Sequence, residues 1–237
     1  MTYPYAPVPT TARPAGVDPA TLKLSNLRVT AAIAVAAFAL PVLMSLLNLL
    51  LDLEILHRLD NHTLTLAWIA DAENRESIYS GLWWLTTILS LVAIGIWATG
   101  TRDRVEALGV SGFRRSKGWC LGGWFVPVIW FWFPYQCLTD NAAVRRANPG
   151  TTTSARAVPG PFLLKLFWTL WVAAATLRFV ASSTLGPSAT AHDLDVAVAF
   201  NAVAVTVGGL AVLALGALCV QLNRAVSVAA QRAATVG

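Results

Sequence analysis

Long apolar blocks separated by short polar stretches run through this chain, and four of them read as helices that cross a bilayer. A hydrocarbon core about 30 Å thick takes about 20 helical residues. The first block covers about residues 29–51, follows Arg28 and contains Pro41. A proline there predicts a kink, tolerated in a bundle because neighbouring helices satisfy the freed carbonyl. The second covers about residues 78–99 and ends at Gly100, with Arg102 and Arg104 behind it. Its polar but helix-compatible lead from Asp71 predicts a helix that starts before the apolar part. A third full span covers residues 162–182 and carries Lys165 and Arg178. The last begins near Asp193, whose side chain is an N-cap candidate. It runs to about residue 220 and continues as an amphipathic helix through Arg232.

Residues 119–137 are apolar too, but Pro127 breaks them in the middle and Pro134 near the end. Trp119, Trp124, Trp130 and Trp132 give this stretch the aromatic character of a membrane interface. Basic residues outside the spans decide its placement, because they accumulate on the cytoplasmic side. If all five segments crossed, Lys and Arg would divide eight to seven; if 119–137 enters and returns, or lies in the interface, thirteen fall inside and two outside. The expected fold is therefore an all-α integral membrane protein. It is a bundle of four transmembrane helices plus a Pro-broken re-entrant or interfacial helical segment, with five spans as the alternative. Both termini are expected in the cytoplasm. Residues 1–26 read as a disordered Pro/Ala/Thr-rich tail, 27–222 as the multi-pass membrane domain and 223–237 as a cytoplasmic helical tail. The N-terminal tail lacks the charged start and apolar stretch of a signal peptide, so the first apolar block is expected to remain in the mature protein.

Composition supports lipid as the solvent. The 237 residues are 56% hydrophobic and only 12% charged, against about 25% charged in soluble domains. The net charge of +5 does not point to nucleic acid, because the basic residues cluster beside apolar spans instead of lining one helix or groove. Cys120, Cys137 and Cys219 lack paired metal-ligand spacing and read as buried small hydrophobes. His57, His62 and His192 fall in expected outer loops. His57 and His62, five apart in a loop, read as solvated side chains. No metal, no cofactor and no enzymatic activity is expected, since no nucleophile pairs with a base.

Several short strings resemble one family. Ile96 and Trp97 close a helix, Arg102 follows, and Arg114, Arg115 and Ser116 lead to Gly118 and Trp119. The core string is Gly123, Trp124, Phe125, Val126 and Pro127, followed seven residues later by Pro134, Tyr135 and Gln136. Val220, Gln221, Leu222, Asn223, Arg224 and Gln231 resemble the closing helix of the same family, that of domain of unknown function 4328. The resemblance covers about residues 71–232. It departs where the family pattern has an Asn and a basic residue between the prolines, this chain having Trp130 and Phe133. It implies a multi-pass protein of a bacterial cytoplasmic membrane, and it implies no reaction. Gly123, Trp124, Pro127, Pro134 and Tyr135 are the structural residues it marks.

Two groups of polar residues remain as candidate sites. Arg178 lies several residues inside its span, at about the depth of Asn48 and Asn201, with Thr86 and Thr87 near that level. An unpaired charge deep in a bilayer is costly. The favoured reading is that Arg178 snorkels to the headgroups while the asparagines bridge helices. The alternative, which makes Asn48, Arg178 and Asn201 a candidate site, is that these groups converge on a small polar pocket open to the outside, with Asp52 or Asp195 as counter-ion to Arg178. The second group, Arg114, Arg115, Lys117, Arg145 and Arg146, flanks residues 119–137. It is a candidate contact for anionic lipid headgroups or an acidic partner, each charge contributing about 1 kcal/mol at a membrane surface. Ala204 and Gly208 mark a close helix contact, within the bundle or between copies. The expected role is a non-enzymatic scaffold or accessory that binds lipid or other membrane proteins, with self-association possible. The alternative is a small transporter or channel subunit using the Arg178 level as its path.

Overall fold

A computed structural model describes residues 24–126, 128–148, 151–185 and 190–236. Nearly all of the expected N-terminal tail lies outside the described residues, as does Pro127. Four helices are long and apolar enough to cross a membrane: α1 (Leu24–Asp60), α2 (Leu66–Ala107), α5 (Phe162–Thr184) and α6 (Ala191–Val236). Between α2 and α5 lie two short helices, α3 (Trp119–Gly122) and α4 (Phe133–Asn141). Two-residue strands β1 (Val110–Ser111) and β2 (Thr153–Ser154) pair in parallel and tie the start of this insert to its end.

Helix length separates the spans from their extensions. With 37, 42 and 46 residues, α1, α2 and α6 are about 55, 63 and 69 Å long at 1.5 Å per residue. All three exceed the hydrocarbon layer, whereas the 23 residues of α5 reach about 34 Å and just cross it. The expected limits at residues 51 and 78 are thus where the apolar part stops, not where the helices stop. Polar residues continue α1 and α2 into a projecting hairpin because their charges pair one turn apart, Glu54 with Arg58 and Asp71 with Arg75. Arg75 also reaches Glu54 across the hairpin at 3.7 Å, and the Arg58 guanidinium lies 4.6 Å from the Trp68 ring centre.

Helix ends follow local capping chemistry. Thr65 caps α2 by accepting the Trp68 N–H at 3.2 Å, and α2 ends at Leu108 and Gly109, the latter left-handed with φ +85°. At α6, Asp193 is not the N-cap. The helix starts at Ala191, the Thr190 hydroxyl accepts the Asp193 N–H, and the Asp193 carboxylate accepts the Thr190 N–H at 2.7 Å. This is a capping box whose acid sits at the third helical position and reaches back.

The long helices pack in the order α5, α6, α1, α2. Gly208 sets α6 close to Val42 of α1 and Ala174 of α5. The insert fills the space at the end where α1 begins and α6 ends, with α4 touching both α2 and α5. We call this end the base.

Residues 119–137 form no spanning helix. The one-turn α3 is followed by a reversal at Val128 (φ 70°, ψ −54°), a 3-10 turn at Ile129–Phe131 and then α4. A positive φ on a β-branched residue is strained, and these angles are those of a tight γ-turn. Trp124 anchors the segment. It is buried, its indole N–H donates to the Cys120 carbonyl at 3.1 Å, and it packs edge-on against Trp171 of α5. Gly123 is required beside it, since a Cβ there would lie 2.8 Å from the Trp119 carbonyl oxygen and 3.1 Å from Phe133 Cβ. Pro134 occupies the first turn of α4, where its missing N–H has no helical acceptor to lose. The Tyr135 ring stands 5.7 Å from Trp168.

Candidate functional site

The insert is organised around an arginine that sequence reading places just past the second span. Arg102, two residues past Gly100 on α2, is only 1% exposed. Its Nε donates to Glu106 Oε1 at 2.9 Å, Nη1 to Asn141 Oδ1 at 3.3 Å and Nη2 to the Arg115 carbonyl at 2.7 Å. Its guanidinium lies 3.2 Å from the Phe113 ring centre. Asn141 in turn donates to the Ala98 carbonyl at 2.8 Å, so the end of α4 is bolted to α2.

The five basic candidates divide. Arg114 donates from its backbone N–H and Nη1 to the buried Asp140 carboxylate, each at 2.7 Å. Burial pushes the Asp140 carboxyl above its ordinary range, while the Arg114 hydrogen bonds and charge pull the other way. Arg115 donates to Gln136 at 2.9 Å and stacks 3.7 Å from the Phe133 ring centre, so one of the two departures from the family pattern has become a seat for a guanidinium. Lys117 pairs with Asp103. These three charges are engaged within the protein.

Arg145 and Arg146 are exposed, and their guanidinium groups make no ion pair or hydrogen bond with any described residue. They end the 3-10 turn Ala142–Arg146, directly after Asn141. Beside them lies a cavity of about 430 Å³, lined by both arginines and by the residues leading into Phe162. A second cavity of about 220 Å³ lies against α6 and shares Arg145, with Arg224 and Arg232 on its other wall. Arg224 and Arg232 are exposed and unpaired among the described residues as well. Sequence reading misses this cluster because its halves lie far apart along the chain.

Inside the bundle, Ser45, Asn48 and Asp52 share one face of α1, being three and four residues apart. Arg178 of α5 donates to Ser45 Oγ at 3.1 Å and lies 4.5 Å from the Trp83 ring centre. Asn201 of α6 donates to Asp52 at 3.1 Å. Asn48 sits between these contacts, buried, its Oδ1 without a hydrogen-bond partner. The three pocket candidates therefore meet one face of α1, and the Asp52 carboxylate lies near enough for its charge to act on Arg178 without a direct ion pair. Asp52 binds Asn201, Asp195 is exposed, and Arg178 uses a hydroxyl and an aromatic ring. Thr86 bonds its own helix, and the buried Thr87 hydroxyl has no partner.

Among the described residues no group of three or more His, Cys, Asp or Glu side chains is placed to hold a metal ion. The three cysteines are free and buried, and Cys120 of α3 and Cys137 of α4 neighbour one another.

The family model described as Domain of unknown function (DUF4328) matches residues 60–231. No curated protein and no solved structure matches the chain. The match runs from the last residue of α1 to the last turns of α6 and takes in the Arg102 network and the Gly123–Trp124 core, so the chain belongs to the DUF4328 family.

Proposed function

We propose that this protein is a non-enzymatic scaffold or accessory of a bacterial cytoplasmic membrane, which engages anionic lipid or other membrane proteins through its base. One contrast carries the reading. The polar side chains at the Arg178 level are tied to α1, Arg178 on Ser45 and Asn201 on Asp52, while the guanidinium groups beside the base cavities have no partner among the described residues. The excess of basic residues at the base supports a cytoplasmic base, and with it cytoplasmic termini.

A small transporter or channel subunit is the second reading. Asn48 Oδ1 and Thr87 Oγ1 favour it, because buried polar atoms without partners are where water enters a bundle. Substituted-cysteine accessibility in intact cells separates the two, in a background where Cys120, Cys137 and Cys219 are replaced by alanine. Thr63→Cys, in the turn after α1, should react with a membrane-impermeant thiol reagent from outside, and Asn48→Cys and Asn201→Cys should be protected. Labelling of Asn48→Cys as fast as Thr63→Cys would replace the accessory by an aqueous path. Failure of Thr63→Cys to label would invert the orientation.

A further inference from the structure

We propose that the paired cavities around Arg145 form a binding site for an anionic phospholipid of the leaflet at the base, its phosphate held by arginine and its acyl chains passing Phe162. Four arginines of like charge gather at two cavities that share Arg145. None of their guanidinium groups has an acidic or hydrogen-bonding partner among the described residues. Elsewhere in the base the same residue type is neutralised by the protein itself, as with Arg114 on Asp140. The arginine cluster therefore leaves its complement to be supplied from outside, and guanidinium groups match phosphate oxygens in geometry as well as charge.

The level of the cavity selects lipid over a soluble anion. Phe162, 74% exposed, is the first residue of α5, the span that just crosses the hydrocarbon layer, so its ring lies where headgroups meet acyl chains. Pro159 and Pro161 line the same cavity, and Val228 lines the second. A free phosphate has no use for the exposed Phe162 and Val228 side chains beside the arginines, whereas a phospholipid engages both. The α5 N-terminus has no side-chain cap, and its dipole adds favourable potential at the same edge. About 430 Å³ lies within the usual size range of small-molecule sites. Because a second cavity meets the first at Arg145, a headgroup with two phosphates fits better than one.

The site belongs to the base invoked above, and the inference rests on that reading for its partner class. Lipid retention and reagent access at Asn48 are separate readouts, so either can fail alone. The test is native mass spectrometry of the purified full-length protein in detergent, supplied with equal amounts of phosphatidylcholine, phosphatidylglycerol and cardiolipin. Cardiolipin should be retained most and phosphatidylcholine least. Arg145→Ala should lower retention of the anionic lipids about fivefold, the equivalent of about 1 kcal/mol for one surface charge. Adding Arg224→Ala should lower it further, and Arg75→Ala in the distant hairpin should leave it unchanged. If Arg145→Ala does not fold, Arg146→Ala with Arg232→Ala carries the same expectation from the two outer walls. Undiminished cardiolipin retention in folded variants, or equal retention of phosphatidylcholine, overturns the site. Displacement of the lipid by an equal concentration of soluble glycerophosphate would make the ligand a free phosphate and overturn it too.

Discussion

Arg102→Ala should be among the most destabilising single changes in this protein. The guanidinium satisfies Asn141 Oδ1 and the Arg115 carbonyl, and its removal leaves both acceptors without their Arg102 donor. Each loss of this kind costs about 1–3 kcal/mol. The bond to Glu106 adds little, because the Glu106 side chain is 44% exposed and solvent screens the pair. Two orphaned acceptors give about 2–6 kcal/mol, which is the loss we expect. Arg102→Lys should still lose about 2 kcal/mol, because one ammonium cannot reach three acceptors placed around a planar fork. The assay is reversible unfolding in mixed micelles, followed by circular dichroism, as a double-mutant cycle with Asn141→Ala. The two changes remove the same bond, so their effects should fall short of additivity by about 1–3 kcal/mol. Loss of less than about 0.5 kcal/mol in Arg102→Ala, the range of ordinary surface changes, would refute the network as the bolt of the insert.

Gly123→Ala should cost about 1–3 kcal/mol in the same assay, since the Cβ meets the Trp119 carbonyl oxygen and Phe133 Cβ, neither of which is the free end of a side chain; a neutral effect would mean that the chain around Trp124 shifts freely. Val128→Gly should raise stability or leave it unchanged despite the lost side chain. Relief of a strained φ contributes about 1–3 kcal/mol and Val128 is exposed, so destabilisation beyond about 1 kcal/mol would show that Val128 is not held in the left-handed region. Cys120 and Cys137 should resist maleimide at about pH 8, where a free thiol near pKa 8.5 reacts readily. Both are fully buried, and the neighbouring Cys120 thiol, together with burial, pushes the Cys137 thiol well above its usual range. Both should label once the protein is unfolded in dodecyl sulfate, and labelling of the folded form would contradict the packing of α3 on α4.

The spans are legible because lipid imposes a simple rule on composition, and four blocks of apolar residues satisfy it. Prolines and charge together separate residues 119–137 from the true spans, and the structure breaks that stretch beside one of those prolines. Helix ends are less legible. The Glu54–Arg58 and Asp71–Arg75 pairs carry helix well past the apolar limits, and nothing in hydropathy reports them. Arg102 is harder still, since Arg104 stands two residues away in a similar context. The hint lies far downstream, in Asp140 and Asn141, polar residues that follow an apolar stretch without a turn signal. The pocket candidates were readable by depth alone, but Ser45 was not, because a serine inside an apolar helix usually bonds its own backbone, as Ser45 also does to Pro41. The split of the basic cluster was invisible, since Arg114 and Arg145 look alike until the fold supplies Asp140 to one of them.

The two halves of the base are mechanically connected, and this explains why so much buried polarity is kept in so small a protein. Asn141 receives the Arg102 guanidinium and is followed immediately by the turn that ends in Arg145 and Arg146. Replacing the network by apolar residues need not weaken the fold as such, since buried polar and ionic groups often give no net stability over hydrophobic packing. What the network supplies is direction, because Asn141 accepts from Arg102 and donates to the Ala98 carbonyl, and these two bonds hold the end of α4 in one orientation against α2. Arg145 is thereby held at the junction of two cavities, one facing α5 and the other α6. Stability and lipid retention should then respond unequally. Arg145→Ala removes a surface charge and should leave unfolding nearly unchanged while retention falls. Arg102→Lys touches neither cavity, yet it should lower both. If Arg102→Lys folds and holds lipid as tightly as the parent, the network and the groove are independent, and the buried arginine serves packing alone.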